Sequence, residues 1–149
     1  MPRSIPAHRV GVIGASGYGG LQTLRLLQGH PHLEVTFLGG ERSAGRRWSD
    51  LAPFMPLPGD PSVQVPDPDA IAAAADLVVL SLPNGLASSL VPDLLERGVR
   101  VVDLSADYRF SSMAEWKRVY GAESVQFPRD DQRGRASWRE TVYITEVDV

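Results

Sequence analysis

The chain has 149 residues, 43% hydrophobic and 22% charged, with a formal net charge of −3 at pH 7. A length of about 150 residues suits one domain with its own core, and the acidic balance disfavours nucleic acid as a partner. Cysteine is absent, which excludes disulfides, thiolate metal sites and a thiol nucleophile. No apolar run approaches the ~18 residues of a membrane span, and the start lacks the apolar core of a secretory signal, so the chain is read as cytoplasmic with no membrane partner.

In chain order, residues 9–13 are an apolar run that predicts a first strand. Leu21, Leu24 and Leu27 then recur at helical spacing over residues 19–28, before the stop signal Gly29, His30 and Pro31. Residues 34–38 predict a second strand ended by Gly39 and Gly40. Residues 53–68, rich in proline and glycine, read as loop around a short strand at 63–65. An alanine-rich helix over 69–75, a buried strand over 77–82, a helix over 86–97 capped by Gly98 and a strand over 99–104 follow. Strands and helices alternate, which predicts an α/β domain of Rossmann type, a doubly wound parallel sheet. Residues 127–139 are charge-dense and read as an irregular tail, and residues 141–149 alternate like one isolated strand.

The run GASGYGG at residues 14–20 lies between the first strand and the first helix. A glycine-rich turn there lets the backbone approach a pyrophosphate, whose charge meets the free N–H groups and positive dipole end of the helix. Gly14 would make the tight turn, Gly17 the close approach and Gly20 the helix-to-strand packing. The spacing is G-x-x-G-x-x-G rather than G-x-G-x-x-G, and a turn that merely connects strand and helix is the competing reading.

After the second strand stand Glu41, Arg42, Ser43, Arg46 and Arg47. A carboxylate here accepts from a ribose 2′-hydroxyl, whereas guanidinium groups bind a 2′-phosphate. The arginines with Ser43 favour NADP, Glu41 being either the ribose acceptor or a partner that holds Arg42. Ser81, Pro83 and Asn84 stand at the carboxyl end of the 77–82 strand and could line the nicotinamide side. Asp103, Ser105 and Arg109 follow the fourth, where Asp103 needs partners if buried and Arg109 suits an anionic substrate. The alternatives are a turn opening a helix at Gly85 and a plain Asp103–Arg109 ion pair.

Together these stretches, with L-P-N-G at residues 82–85 and D-L-S-A-D-Y-R-F at 103–110, resemble in order and spacing the N-terminal half of the N-acetyl-gamma-glutamyl-phosphate reductases, a family placed with the semialdehyde dehydrogenases. The resemblance covers roughly residues 8–122. It implies an NADP-binding half of an enzyme that uses NADPH to reduce an acyl phosphate to a semialdehyde in arginine biosynthesis. It assigns Gly14, Ser16, Gly17, Tyr18, Gly19 and Gly20 to the pyrophosphate, Arg42 and Ser43 to the adenosine phosphate, Pro83 and Asn84 to the cofactor, and Ser105 and Arg109 to the substrate.

The family's mechanism also implies a cysteine thiolate and a histidine in a second, catalytic domain. No residue here matches the cysteine, and His8, His30 and His32 precede or lie within the nucleotide-binding elements. The expectation is therefore a cofactor domain over residues 1–122, with no catalytic residue, and a tail over 123–149 outside the family pattern. A disrupted reading frame is the preferred account of that tail over a remodelled domain. A non-catalytic NADP-binding module, and the cofactor half of an aspartyl- or aminoadipyl-phosphate reductase, stay open as alternatives. A Tyr-x-x-x-Lys reductase is excluded, because the only lysine, Lys117, has Met113 four residues before it. His30 and His32 have no third ligand nearby, so no metal is expected. Apolar surface left exposed by an absent second half is expected to cause self-association.

Overall fold

The computed structural model describes residues 8–108 and 113–121. Four strands, β1 (His8–Ile13), β2 (Leu33–Gly39), β3 (Leu77–Leu80) and β4 (Arg100–Asp103), pair in parallel in the order β2-β1-β3-β4. The chain thus steps from β1 to β2 on one side and crosses back to β3 on the other. That reversal opens a crevice at the carboxyl ends of the central strands, where ligands of such sheets bind.

Successive side chains of a strand face opposite ways, and here each face is covered. Ile13, Val78 and Leu80 pack with Ile71 of helix α3 (Pro68–Ala74) and with Val91 and Leu94 of α4 (Ala87–Glu96). Val12 and Leu38 pack on the other face with Leu24 of α1 (Tyr18–Leu27) and Trp48 of α2 (Trp48–Leu51). The expected fold, a parallel sheet wound on both faces, is the observed one. Burial of the Leu24 side chain alone is worth about 2–3 kcal/mol.

The helix ends follow local chemistry. Asp67 caps α3 by accepting from Ala70 N–H at 2.9 Å, with Pro68 at the first helical position. After α4, Gly98 sits at φ +77° and donates to Leu95 O, while Val99 donates to Leu94 O, a left-handed glycine stop. At the base of the sheet Asp76 joins three strands: its carboxylate accepts from Arg9 N–H and guanidinium, the closest contact being 2.7 Å, and its carbonyl accepts from Arg100 N–H.

Three features depart from the expected element order. A short helix, α2, stands between β2 and the expected α3. The strand expected at 63–65 is reduced to isolated bridges, Gly39 with Gln64 and Arg47 with Ser62, because Pro61 and Pro66 flank it and prolines cannot donate to a ladder. A fifth helix, α5 (Met113–Tyr120), follows β4 and seats Trp116, fully buried, with its indole N–H donating to Ala106 O at 3.1 Å. The expected tail lies outside the described residues. Among those described, no helix is long and apolar enough to cross a membrane.

Candidate functional site

The turn between β1 and α1 is fixed by the chain's own contacts. Gly14 has φ +79°, and a Cβ there would run into the carbonyl oxygen of Ser81 at the end of β3. A Cβ at Gly19 would strike Ser81 Oγ, and one at Gly20 the carbonyls of Gly14 and Ala15. Gly14 and Gly19 therefore both meet the neighbouring strand's end, at Ser81, and Gly20 packs the helix on the turn itself rather than on a strand. Gly17 differs. Its φ of −81° and ψ of 169° suit any residue, and the nearest atom to an added Cβ is Gly14 O at 3.4 Å, an ordinary contact.

Gly17 is the N-cap of α1, where no side chain caps the helix and no acidic residue occupies the first turn. The first N–H groups of a helix have no acceptor within it, and they stand at its positive end. Ser16, Gly17 and Tyr18 are exposed there. The arrangement suits an anion held by backbone donors.

On the β2 side, Ser16 Oγ lies 3.4 Å from the buried Ser43 Oγ. Arg42 is exposed, and among the described residues no ion pair engages it or joins it to Glu41. Arg47 is turned away: its Nε donates to Asp60 at 2.9 Å, and Ser49 donates to the same carboxylate through N–H and hydroxyl. Those bonds, the Ser49 N–H foremost, hold the Asp60 carboxyl below its ordinary range. Arg46 reaches toward Asp50 O at 3.5 Å. Of the basic group expected after β2, only Arg42 keeps its guanidinium uncommitted among the described residues.

On the β3 and β4 side two loops are laced together. Asn84 Oδ1 accepts from Ala106 N–H at 3.1 Å. The Asp107 carboxylate, 1% exposed, accepts from Gly85 N–H at 2.6 Å and Ser88 N–H at 3.0 Å. Ser105, also buried, donates its hydroxyl to Asp103 at 2.8 Å and accepts from Asp107 N–H at 3.2 Å. Asp103 therefore has hydrogen-bond partners in its own loop, as a carboxylate with 9% exposure requires. Pro83 and Asn84 are exposed above this lattice. Arg109 lies outside the described residues.

Asp107 is the residue that the sequence pattern did not single out. The signal was available: α4 begins at Leu86 with no residue of its own able to cap it, so a foreign acceptor is needed. Beside it, the Tyr108 hydroxyl is buried with no hydrogen-bond partner among the described residues. Burial, and then the charges of Asp103 and Asp107, push its pKa above the usual tyrosine range.

The structure thus brings Gly14, Ser16, Gly17, Tyr18, Gly19, Gly20 and Ser43 to one stretch of the carboxyl edge and places Pro83, Asn84 and Ser105 after the next strands along that edge. His8 opens β1, and His30 and His32 precede β2, at the opposite end of the sheet. Among the described residues no group of three His, Cys, Asp or Glu side chains could hold a metal ion.

Comparison with known proteins agrees with this geometry. The family model described as the NAD binding domain of semialdehyde dehydrogenase matches residues 9–143, so the match runs past the boundary expected at residue 122. The chain is 64% identical over 135 residues to an N-acetyl-gamma-glutamyl-phosphate reductase of Prochlorococcus marinus (strain MIT 9313), covering 91% of this chain and 37% of that one. It is 68% identical over 123 residues to the reductase of Parasynechococcus marenigrum (strain WH8102), covering 83% and 34%. The chain spans about a third of the length of these curated relatives. Among solved structures, aspartate semialdehyde dehydrogenase with NADP from Candida albicans aligns with a TM-score of 0.63 and 31% identity, over 70% of this chain and 31% of that one. The carboxyl-edge site, the sheet order and the match over residues 9–143 place this chain in the semialdehyde dehydrogenase family, as its NAD-binding domain.

Proposed function

We propose that the chain is the NADP-binding half of an N-acetyl-gamma-glutamyl-phosphate reductase, acting with a catalytic domain to reduce an acyl phosphate to a semialdehyde. The observation that carries this reading is Gly17: the one glycine of the turn that the chain's own packing leaves free of a Cβ clash stands at an uncapped helix end. A backbone left bare with no steric clash to avoid suits the approach of an external group, here a pyrophosphate. Gly14, Ser16, Tyr18, Gly19 and Gly20 form the rest of that cradle.

Arg42 and Ser43 then face the adenosine 2′-phosphate, and Arg42 is supported by having no ion pair among the described residues, in contrast to Arg47. Pro83 and Asn84 lie toward the nicotinamide. Ser105 shapes the substrate rim through its bonds to Asp103 and Asp107, and Arg109 supplies that rim with positive charge. All these side chains fall within residues 1–122. Bound NADPH supplies the hydride; these residues bind and orient it and exclude water around it. The thiolate that opens the acyl phosphate in this family is not in these 149 residues, which contain no cysteine, so it belongs to the catalytic partner. The identities of 64–68% to the acetylglutamyl reductases, against 31% to the aspartate enzyme, support the former's acyl phosphate. The reading includes a cytoplasmic location, and self-association through exposed apolar side chains such as Tyr18, Leu26 and Phe54.

Calorimetric titration of the purified chain tests it. NADPH should bind with measurable heat and more tightly than NADH, and N-acetylglutamyl phosphate should cause no NADPH oxidation. A chain that binds neither nucleotide overturns the reading.

A further inference from the structure

We propose that Asp107 is a positioning residue that sets the nicotinamide end of the cofactor site by locking the 84–86 turn to the loop after β4. The inference rests on the NADP-binding reading above and concerns a residue which that reading leaves unused.

The two segments are 19–22 positions apart in the chain, and neither has internal bonds that would fix it against the other. One buried carboxylate joins them. Its two oxygens take separate donors, Gly85 N–H at 2.6 Å and Ser88 N–H at 3.0 Å, so it spans the entry of α4 rather than capping a single N–H. The return bond, Ala106 N–H to Asn84 Oδ1, closes a ring across the two loops. That bond also orients Asn84: with Oδ1 occupied by a backbone donor, its amide nitrogen is the group left to donate elsewhere. On the other side of Asp107, its own N–H donates to Ser105 Oγ, whose proton goes to Asp103. Asn84, Ser105 and the N-terminus of α4 therefore share one fixed reference, and it is Asp107. No positive side chain pairs with this carboxylate among the described residues; backbone N–H groups and the positive end of α4 hold its charge.

The adenosine end is built separately, from Ser16, Arg42 and Ser43 after β1 and β2, with no bond to Asp107. Disturbing Asp107 should therefore affect one half of the dinucleotide and not the other. A residue that only stabilised the fold would weaken both.

The test compares NADPH with adenosine 2′,5′-bisphosphate, the fragment that lacks the nicotinamide half, by calorimetry on the parent, Asp107→Ala and Asp107→Asn chains. Asp107→Ala should weaken NADPH roughly tenfold and leave the fragment within about twofold. Asp107→Asn, which keeps one acceptor oxygen, should fall between. Amide hydrogen exchange serves any variant too unstable to titrate: protection at Gly85, Ser88 and Ala106 should fall together while that at Ala15 and Leu21 persists. Equal losses for NADPH and the fragment, unchanged NADPH affinity in Asp107→Ala, or uncoupled exchange in the two loops would overturn the proposal. A parent chain that binds the fragment but shows no added affinity for NADPH would also overturn it. If the parent binds neither, the failure lies with the NADP-binding reading itself.

Discussion

Ser16 and Ser43, 27 positions apart, bring their hydroxyl oxygens to 3.4 Å and so join the turn after β1 to the turn after β2. A 2′-phosphate beside that pair would find one uncommitted guanidinium, Arg42. Arg42→Ala should weaken NADPH by about ten- to a hundredfold, the loss of one charge-assisted bidentate contact, and should leave NADH within about twofold. Parallel calorimetric titrations of both nucleotides check this, and equal losses would remove Arg42 from the site.

The glycine turn separates two kinds of substitution. Gly17→Val adds its Cβ at an ordinary contact distance and at dihedrals open to any residue, so circular dichroism should match the parent and the melting temperature should fall only slightly, the cost of replacing glycine at an N-cap, while NADPH binding is lost. Gly14→Ala meets both, a positive φ and the Ser81 carbonyl. It should cost at least about 1–3 kcal/mol of stability, read by urea unfolding, whether or not nucleotide is present.

Tyr108 tests the loop after β4. Its hydroxyl is buried with no partner among the described residues, so Tyr108→Phe should be neutral or stabilising by up to about 1 kcal/mol at pH 7. The sign with pH follows from its raised pKa. The neutral phenol is favoured in the fold, so its contribution is complete below the ordinary tyrosine pKa of about 10 and is lost as pH rises beyond it. The parent should therefore lose stability above about pH 10 faster than the Phe variant, in melts recorded across the alkaline range.

Asp76 does the opposite at the base of the sheet. Hydrogen bonds from the Arg9 guanidinium and N–H lower its pKa to about 2 from an ordinary 3.8. The ionised form is favoured in the fold, so its contribution is complete above about pH 4 and is lost on acidification toward pH 2. Asp76→Asn should lower the melting temperature at pH 7, and the difference from the parent should vanish at and below pH 2.

The sheet was legible because its strands are short apolar runs closed by glycine, proline or aspartate, and because Gly29 and Gly98 end helices at positive φ. The short helix α2 was not. It owes its place to Trp48, buried against Leu24 and Val63 with its indole N–H on Met55 O, and no local periodicity announces such a contact. Helix α5 was missed for a related reason: Trp116 is its buried anchor, while its neighbours Glu115, Lys117 and Arg118 are exposed. At the site, the two glycine- and serine-bearing turns meet through Ser16 and Ser43 on one edge, a neighbourhood that follows from β1 pairing with β2. The motif could not show that Asp60 draws Arg47 away, since that pair is 13 positions apart, across α2 and a proline-rich loop. Nor could it show Asp107 under α4, since the acceptor and the donors it serves come together only when β3 and β4 pair.

The fixed glycines of the β1–α1 turn carry a consequence for the kinetics of ligand capture. Gly14 and Ala15 donate their N–H groups to Gly39 O, and Gly17 donates to Gly14 O, so the turn is held in shape before any anion arrives. Little rotational freedom remains to be surrendered at the moment of encounter. Association of the pyrophosphate should then proceed in a single phase whose rate is linear in nucleotide concentration, without the plateau that a slow rearrangement of the loop would impose.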